Sequence, residues 1–147
     1  MHALQMIALG RKLTTIYAGL CAPICRKYHV NQTCFDVLLF CANNPEHNTA
    51  RDVCAVRGIK SGIASVAVET LITRGLLIRA PDPADRRCHR LLPTAEAEAL
   101  IAEGRDMQKT FTDTLRRGMA EEDLEAFRRL TGQVEENMRI LTGEKKG

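Results

Sequence analysis

The residues best suited to chemistry in this 147-residue chain are concentrated in one segment, Arg79–Thr94. It reads RAPDPADRRCHRLLPT, with four arginines, two aspartates and three prolines between two apolar stretches. A guanidinium group donates hydrogen bonds in a planar fork that matches the oxygens of a phosphate. The segment therefore predicts contact with a polyanion.

The charge of the whole chain supports this interpretation once it is divided along the sequence. The formal net charge is +3, but the block from Arg51 to Arg90 holds eight basic and four acidic residues, so the remainder is slightly acidic. A basic surplus confined to one block is typical of a surface that faces nucleic acid. The alternative is an ordinary solvated charged face.

The six cysteines are a second set of reactive residues. They form no CxxC pair, so no zinc ribbon or thioredoxin-type motif is present. Cys21, Cys25 and His29 share one helix face at intervals of four residues, which leaves packing, redox sensing and soft-metal binding open. The eight-residue span covers about 12 Å of helix, too far for one ion to use all three. We predict core packing, keep Cys21 and Cys25 as redox-sensor candidates, and predict neither a metal site nor a cofactor.

Other classes of protein find little support in the sequence. No motif pairs a nucleophile with a base and oxyanion donors, so we predict no catalytic residues and no enzyme activity. No apolar run approaches the roughly 18 to 20 residues that a membrane span needs, and the first residues lack the basic region of a signal peptide. We therefore expect a cytoplasmic protein with no membrane partner.

The elements that must position these residues follow from hydrophobic periodicity. Apolar residues at three- and four-residue steps predict a helix from Ala3 to about His29, and CFDVLLFCAN predicts a short buried helix. We expect Thr49 to cap a helix over ARDVCAV and Ser61 to cap another over GIASVAVETLITR. Two helices joined by a tight turn at Gly58 predict a helix-turn-helix.

The rest of the chain predicts a β-wing and two more helices. LLIRA and RCHRLL are strand-forming segments separated by PDPADR, which indicates an antiparallel hairpin with a projecting loop. Thr94 opens a long helix, and a last helix covers Glu121 to Leu141. The predicted fold is mainly α with a small antiparallel β wing: a winged helix-turn-helix with long N- and C-terminal dimerisation helices. Residues 31–93 would bind DNA, and residues 1–30 and 94–147 would dimerise within one intertwined unit.

This architecture predicts a homodimer on double-stranded DNA, since the flanking helices carry more apolar surface than one small module can cover. The second helix of a helix-turn-helix enters the major groove, and a wing reaches the minor groove. We expect Asp85 to orient the guanidinium of Arg87. The full set of predicted DNA-binding residues is Arg51, Arg57, Lys60, Ser61, Gly62, Ser65, Arg74, Arg79, Asp85, Arg86 and Arg87.

Three stretches, RKYHVNQTCFDVLLFCA, LITRGLLIR and DRRCHRLLPT, resemble the MarR family of winged helix-turn-helix regulators. In that resemblance Asp85 and Arg87 match the wing aspartate and the arginine that enters the minor groove, and Gly75 and Arg79 match the turn glycine and first-strand arginine. Val66 departs from it, because many members have a polar or basic residue there.

The resemblance also implies a regulatory signal, either a small aromatic effector or oxidation of cysteine. Tyr17, Tyr28, Phe35 and Phe40 are predicted as walls of an effector pocket, with core packing as the alternative. The function that we expect is sequence-specific repression of transcription, relieved by an effector or by cysteine oxidation. The alternative is a winged-helix protein-interaction module with little DNA binding, motivated by the apolar Val66 and Ala67.

Overall fold

The structure is a computed structural model that describes residues 2–143. Helices make up most of it, and a two-stranded antiparallel sheet interrupts their order, which confirms the predicted fold class. The elements are α1 (Ala3–Tyr28), α2 (Gln32–Asn43), α3 (Ala50–Arg57), α4 (Ser61–Thr73), β1 (Leu77–Pro81), β2 (His89–Pro93), α5 (Glu98–Arg116) and α6 (Glu121–Thr142).

Capping residues set the starts of the short helices. The Asn31 side chain accepts a hydrogen bond from the Cys34 N–H at 2.8 Å, which opens α2. Thr49 caps α3 as predicted, and it forms a capping box with Asp52. The Thr49 hydroxyl accepts a hydrogen bond from the Asp52 N–H at 3.2 Å, and the Asp52 carboxylate accepts one from the Thr49 N–H at 3.0 Å.

The predicted cap Ser61 is wrong by one residue. The carbonyl of Lys60 already accepts the first helical hydrogen bond, from the Ala64 N–H at 2.9 Å, and the Lys60 backbone is extended. Lys60 is therefore the cap position, without a side-chain hydrogen bond, and Ser61 is the first residue of α4. Its hydroxyl lies on an exposed helix end.

The hairpin is held by its register and by an anchor at its base. Leu77 lies opposite Pro93 and Arg79 opposite Leu91, and the side chains of Leu77 and Leu91 are buried. The Leu91 N–H donates to the Asn48 carbonyl at 2.9 Å, and Arg90 Nε donates to the Asn48 side-chain oxygen at 3.1 Å. The strand β2 is thus fixed to the loop between α2 and α3. After it, a 3-10 turn at Ala95–Ala97 precedes α5, where a continuous helix from Thr94 was predicted.

The chain divides into two compact units, Met1–Lys109 and Thr110–Gly147. The first contains a single core in which Phe35, Leu38, Leu71 and Leu100 are almost completely buried. Full burial of one such side chain is worth about 1.5 to 3 kcal/mol. The core therefore joins α1, α2, α4 and the start of α5 to the wing.

The second unit contains α6, none of whose residues is buried. The division of roles that we predict, dimerisation by residues 1–30 and 94–147 and DNA binding by 31–93, stays a prediction, and residues 1 and 144–147 lie outside the described part of the chain. Among the described helices, none combines the length and apolar character required to cross a membrane.

Candidate nucleic-acid interface

A groove of about 520 Å³ lies between α3, α4 and the wing. It brings together five of the predicted DNA-binding residues from four separate elements: Arg51, Ser61, Ser65, Arg79 and Arg87. Two hydroxyls and three guanidinium groups around one concave surface suit a ligand rich in phosphate oxygens.

The outward side of α4 forms one wall of this region. Ala64, Ala67, Val68 and Leu71 are buried against the core, whereas Lys60, Ser61, Gly62 and Ser65 are exposed. The first turn of α4 contains no acidic residue, so the positive end of the helix dipole is not neutralised there. An exposed helix end of this kind is suited to a polyanion.

The wing tip presents two exposed arginines, Arg86 and Arg87, and neither forms an ion pair within residues 2–143. The predicted role of Asp85 needs correction. Its carboxylate accepts a hydrogen bond from the backbone N–H of Arg87 at 2.9 Å, rather than from the guanidinium. An aspartate side chain is short, so it reaches the backbone N–H two residues later more readily than it reaches a guanidinium group. The resulting hydrogen bond defines an Asx turn. Asp85 thus shapes the loop and leaves the Arg87 side chain available.

Three other predicted DNA-binding arginines have partners inside the protein. Arg57 forms an ion pair with Asp36 of α2 at 3.1 Å. Arg79 forms one with Glu69 of α4, which ties the wing to that helix. Arg74 donates hydrogen bonds to the backbone carbonyls of Tyr28, at 2.8 Å, and His29, so it caps the end of α1. Arg51, Lys60, Arg86 and Arg87 remain without an ion pair among the described residues.

Sequence reasoning missed two residues that bear on this surface. Arg90 is a positioning residue, because it holds Asn48 and the Pro45 carbonyl and so fixes β2. Ile63, on the outward side of α4, is 52% exposed. The sequence could have indicated Ile63, because it lies three residues before Val66 and the two side chains therefore share one helix face.

The redox candidates are buried. Cys21 is fully inaccessible and Cys25 nearly so, in agreement with the packing alternative. Burial raises the pKa of the Cys21 thiol to about 11 and also raises the pKa of Cys25. Within residues 2–143 no group of three or more His, Cys, Asp or Glu side chains is arranged to hold a metal ion.

The four predicted effector-pocket aromatics do not form one wall. Phe35 and Phe40 are buried in the core, whereas Tyr17 and Tyr28 are partly exposed on α1. The Tyr17 hydroxyl accepts a hydrogen bond from Gln108 at 2.9 Å, and the Tyr28 hydroxyl donates to Glu103 at 2.8 Å. A cavity of about 450 Å³ lies elsewhere along α1, and its lining includes Ala18, Ala22, Cys25, Arg26, His29 and Gln32.

Comparison with known proteins supports the assignment of a winged-helix fold. Residues 30–87 match the sequence model of the MarR family. No curated protein sequence matches the chain. Similar solved structures include a MarR family transcriptional regulator from Listeria monocytogenes complexed with a 26mer DNA, which is 18% identical with a TM-score of 0.75 and covers 100% of this chain and 99% of its own.

Two further similar solved structures are of proteins that interact with small molecules. BpsR from Bordetella bronchiseptica, whose DNA binding is regulated by 6-hydroxynicotinic acid, is 21% identical with a TM-score of 0.65 and covers 89% of this chain and 98% of its own. CouR from Rhodococcus jostii RHA1, bound to p-coumaroyl-CoA, is 20% identical with a TM-score of 0.70 and covers 86% and 88%.

The helix-turn-helix, the wing and the groove between them define the class of fold, which is that of the winged-helix proteins. Residues 30–87 match the MarR family model, and the chain as a whole is similar in fold to solved MarR family regulators.

Proposed function

We propose that the chain acts in the cytoplasm as a homodimeric repressor that binds a specific two-fold-related DNA site. The observation that carries the proposal is the groove between α3, α4 and the wing, where Arg51, Ser61, Ser65 and Arg87 converge. In this arrangement α4 would enter the major groove, and the Arg87 side chain would enter the neighbouring minor groove. Two-fold symmetry places the half-sites about one helical turn, roughly 34 Å, apart.

The exposed apolar stripe of α6 supports the homodimer. Phe127, Leu130, Val134 and Met138 recur at three- and four-residue steps and are between 40% and 63% exposed. A long helix with an apolar stripe but no buried residue needs a partner, and a second copy of the chain is the simplest one.

We further propose that a small aromatic acid relieves repression. DNA binding by BpsR is regulated by 6-hydroxynicotinic acid and CouR binds p-coumaroyl-CoA, and both of these molecules contain an aromatic group. The lining of the cavity along α1 combines the small apolar residues Ala18 and Ala22 with the polar residues Arg26 and His29, which suits an aromatic carboxylate. We favour this signal over oxidation because Cys21 is buried and burial raises its thiol pKa.

A salt titration of DNA binding tests the central proposal. The promoter DNA upstream of the chain's own gene is the probe, and binding is measured by fluorescence anisotropy between about 50 and 200 mM salt. Each phosphate neutralised contributes about −0.9 to the slope of log K against log salt. Arg87→Ala should weaken binding and make the slope shallower by about one unit.

Arg129→Ala provides the matched control, because it removes the same charge from an exposed position on the polar side of α6. It should leave both the affinity and the slope unchanged. Affinity that does not depend on salt, or an equal effect of the two variants, would refute the proposed interface.

The effector proposal has its own test. A panel of hydroxylated benzoates and nicotinates is added to the protein-DNA complex, and release of the DNA is followed by anisotropy. Arg26→Ala should abolish release by an active compound while leaving DNA binding intact, and Lys12→Ala on the same helix is the control. Release that Arg26→Ala does not change would place the effector site elsewhere.

A further inference from the structure

The outward side of α4 has an unusual composition for a helix that reads bases. Residues 61–73 contain no lysine, arginine, histidine, asparagine or glutamine. The bidentate pairings that identify guanine use arginine or lysine, and those that identify adenine use asparagine or glutamine. The helix itself therefore lacks the side chains that read purines by paired hydrogen bonds.

Apolar side chains stand in their place. Ile63 and Val66 are 52% and 68% exposed and lie one turn apart, together lining a shallow cleft with Thr70. The Thr70 hydroxyl donates to the Val66 carbonyl at 2.9 Å, so this donor is satisfied within the helix. Core packing does not explain Ile63 and Val66, because the buried side of α4 is complete without them.

The surroundings of this pair favour DNA over a protein as its partner. The exposed and unpaired Arg51, Lys60 and Arg87 lie on the same winged-helix module, so a polyanion is electrostatically favoured. The acidic residue of α4, Glu69, is paired with Arg79 and is therefore partly neutralised. Ala67, the other apolar residue that suggested a protein partner, is only 4% exposed and belongs to the core.

An apolar group on a major-groove helix has one specific target, the C5-methyl of thymine. We propose that Ile63 and Val66 are specificity-determining residues that select thymine in each half-site by contact with this methyl group. The inference rests on the proposed function, because it assumes that α4 enters the major groove.

Replacing thymine by deoxyuracil tests the proposal, because the exchange removes only the C5-methyl. The preferred site of the wild-type protein is first selected from random duplexes, and its thymines are then replaced in symmetric pairs. At one or two positions in each half-site we expect affinity to fall about fourfold per methyl, the ratio that corresponds to about 0.8 kcal/mol for one buried CH₂ group.

Variants connect the effect to the two side chains. Val66→Ala and Ile63→Ala should bind the thymine site more weakly, and each should become insensitive to deoxyuracil at its own position. Val56→Ala is the matched control, because Val56 is 70% exposed but lies on α3 and not on α4, the helix proposed to enter the major groove, and it should keep the full wild-type pattern.

The outcomes separate this inference from the proposed function. If wild-type protein selects a site but no thymine is sensitive to deoxyuracil, thymine reading is wrong and DNA regulation stands. If Val66→Ala and Ile63→Ala retain the wild-type sensitivity to deoxyuracil, other residues contact the thymine methyl groups and the assignment to Ile63 and Val66 is wrong. If no salt-dependent binding is found with any duplex, the proposed function itself fails.

Discussion

Gly104 offers a quantitative test of how tightly α5 packs on the core. A Cβ atom at this position would lie 3.0 Å from both Leu39 Cδ atoms and from Phe35 Cε2. Both neighbours are buried, with 1% and 0% of their surface exposed, so neither can move into solvent. Adding a carbon to a filled core costs about 1 to 3 kcal/mol. Alanine is favoured over glycine within a helix by about 1 kcal/mol, so Gly104→Ala should lower the free energy of unfolding by about 1 kcal/mol.

Gly132 is the matched control, since it lies on the polar side of α6 and a Cβ there would have no atom within 4 Å. Gly132→Ala should therefore raise the free energy of unfolding by about 1 kcal/mol. Both variants are measured by urea unfolding at one fixed protein concentration, because the stability of the homodimer that we propose would depend on concentration. Equal stabilisation by the two alanines would refute the packing argument.

Three other predictions concern groups that the structure buries or pairs. Under native conditions, iodoacetamide should modify the partly exposed Cys54 and Cys88 well before the buried Cys21, Cys34 and Cys41. Mass spectrometry of tryptic peptides measures the order of modification. Early modification of Cys21 would favour cysteine oxidation as the regulatory signal. Arg74→Met should lower stability by about 1 kcal/mol, because the Tyr28 and His29 carbonyls lose a charged donor, and Arg74→Lys should lose less; unchanged melting temperatures would contradict the capping role. Burial raises the pKa of Asp36 above 3.8, and the nearby Arg57 offsets this effect only in part. The folded state therefore binds the carboxyl proton more tightly than the unfolded state does. As a result, the free energy of unfolding falls as pH rises from 3.8 through the raised pKa. The free energy of unfolding of Asp36→Asn minus that of wild type should therefore increase with pH in urea titrations above about pH 4, and a decrease would show that the Asp36 pKa is lowered instead.

The local features of the fold were predictable from the sequence. Thr49 followed by Asp52 is a capping signal within four residues, and the two strands of the wing are strand-forming segments bounded by proline and glycine. The cap and the strands each depend on residues that are close together in the chain, so the local sequence pattern is enough to predict them. Lys60 and Ser61 show the limit of such reasoning, because backbone geometry decided between two adjacent positions.

The partners of the arginines were not predictable in this way. Arg57, Arg74 and Arg79 have the same charge whether they face phosphates or a neighbour in the fold, and their partners lie between 10 and 46 residues away in the sequence. The same limit applies to Phe35 and Phe40. Periodicity identifies an apolar helix face but does not distinguish the wall of a pocket from a filled core.

The wing is anchored at its base and independent at its tip. Arg90 and Leu91 bind β2 to Asn48, and Arg79 binds β1 to Glu69, whereas every hydrogen bond found for residues 82–88 has its partner inside that loop. The conformation of the loop therefore depends on its own residues. Under the proposed mode of DNA binding, substitutions among these seven residues would alter the contact with the minor groove without requiring a compensating change in the body of the protein.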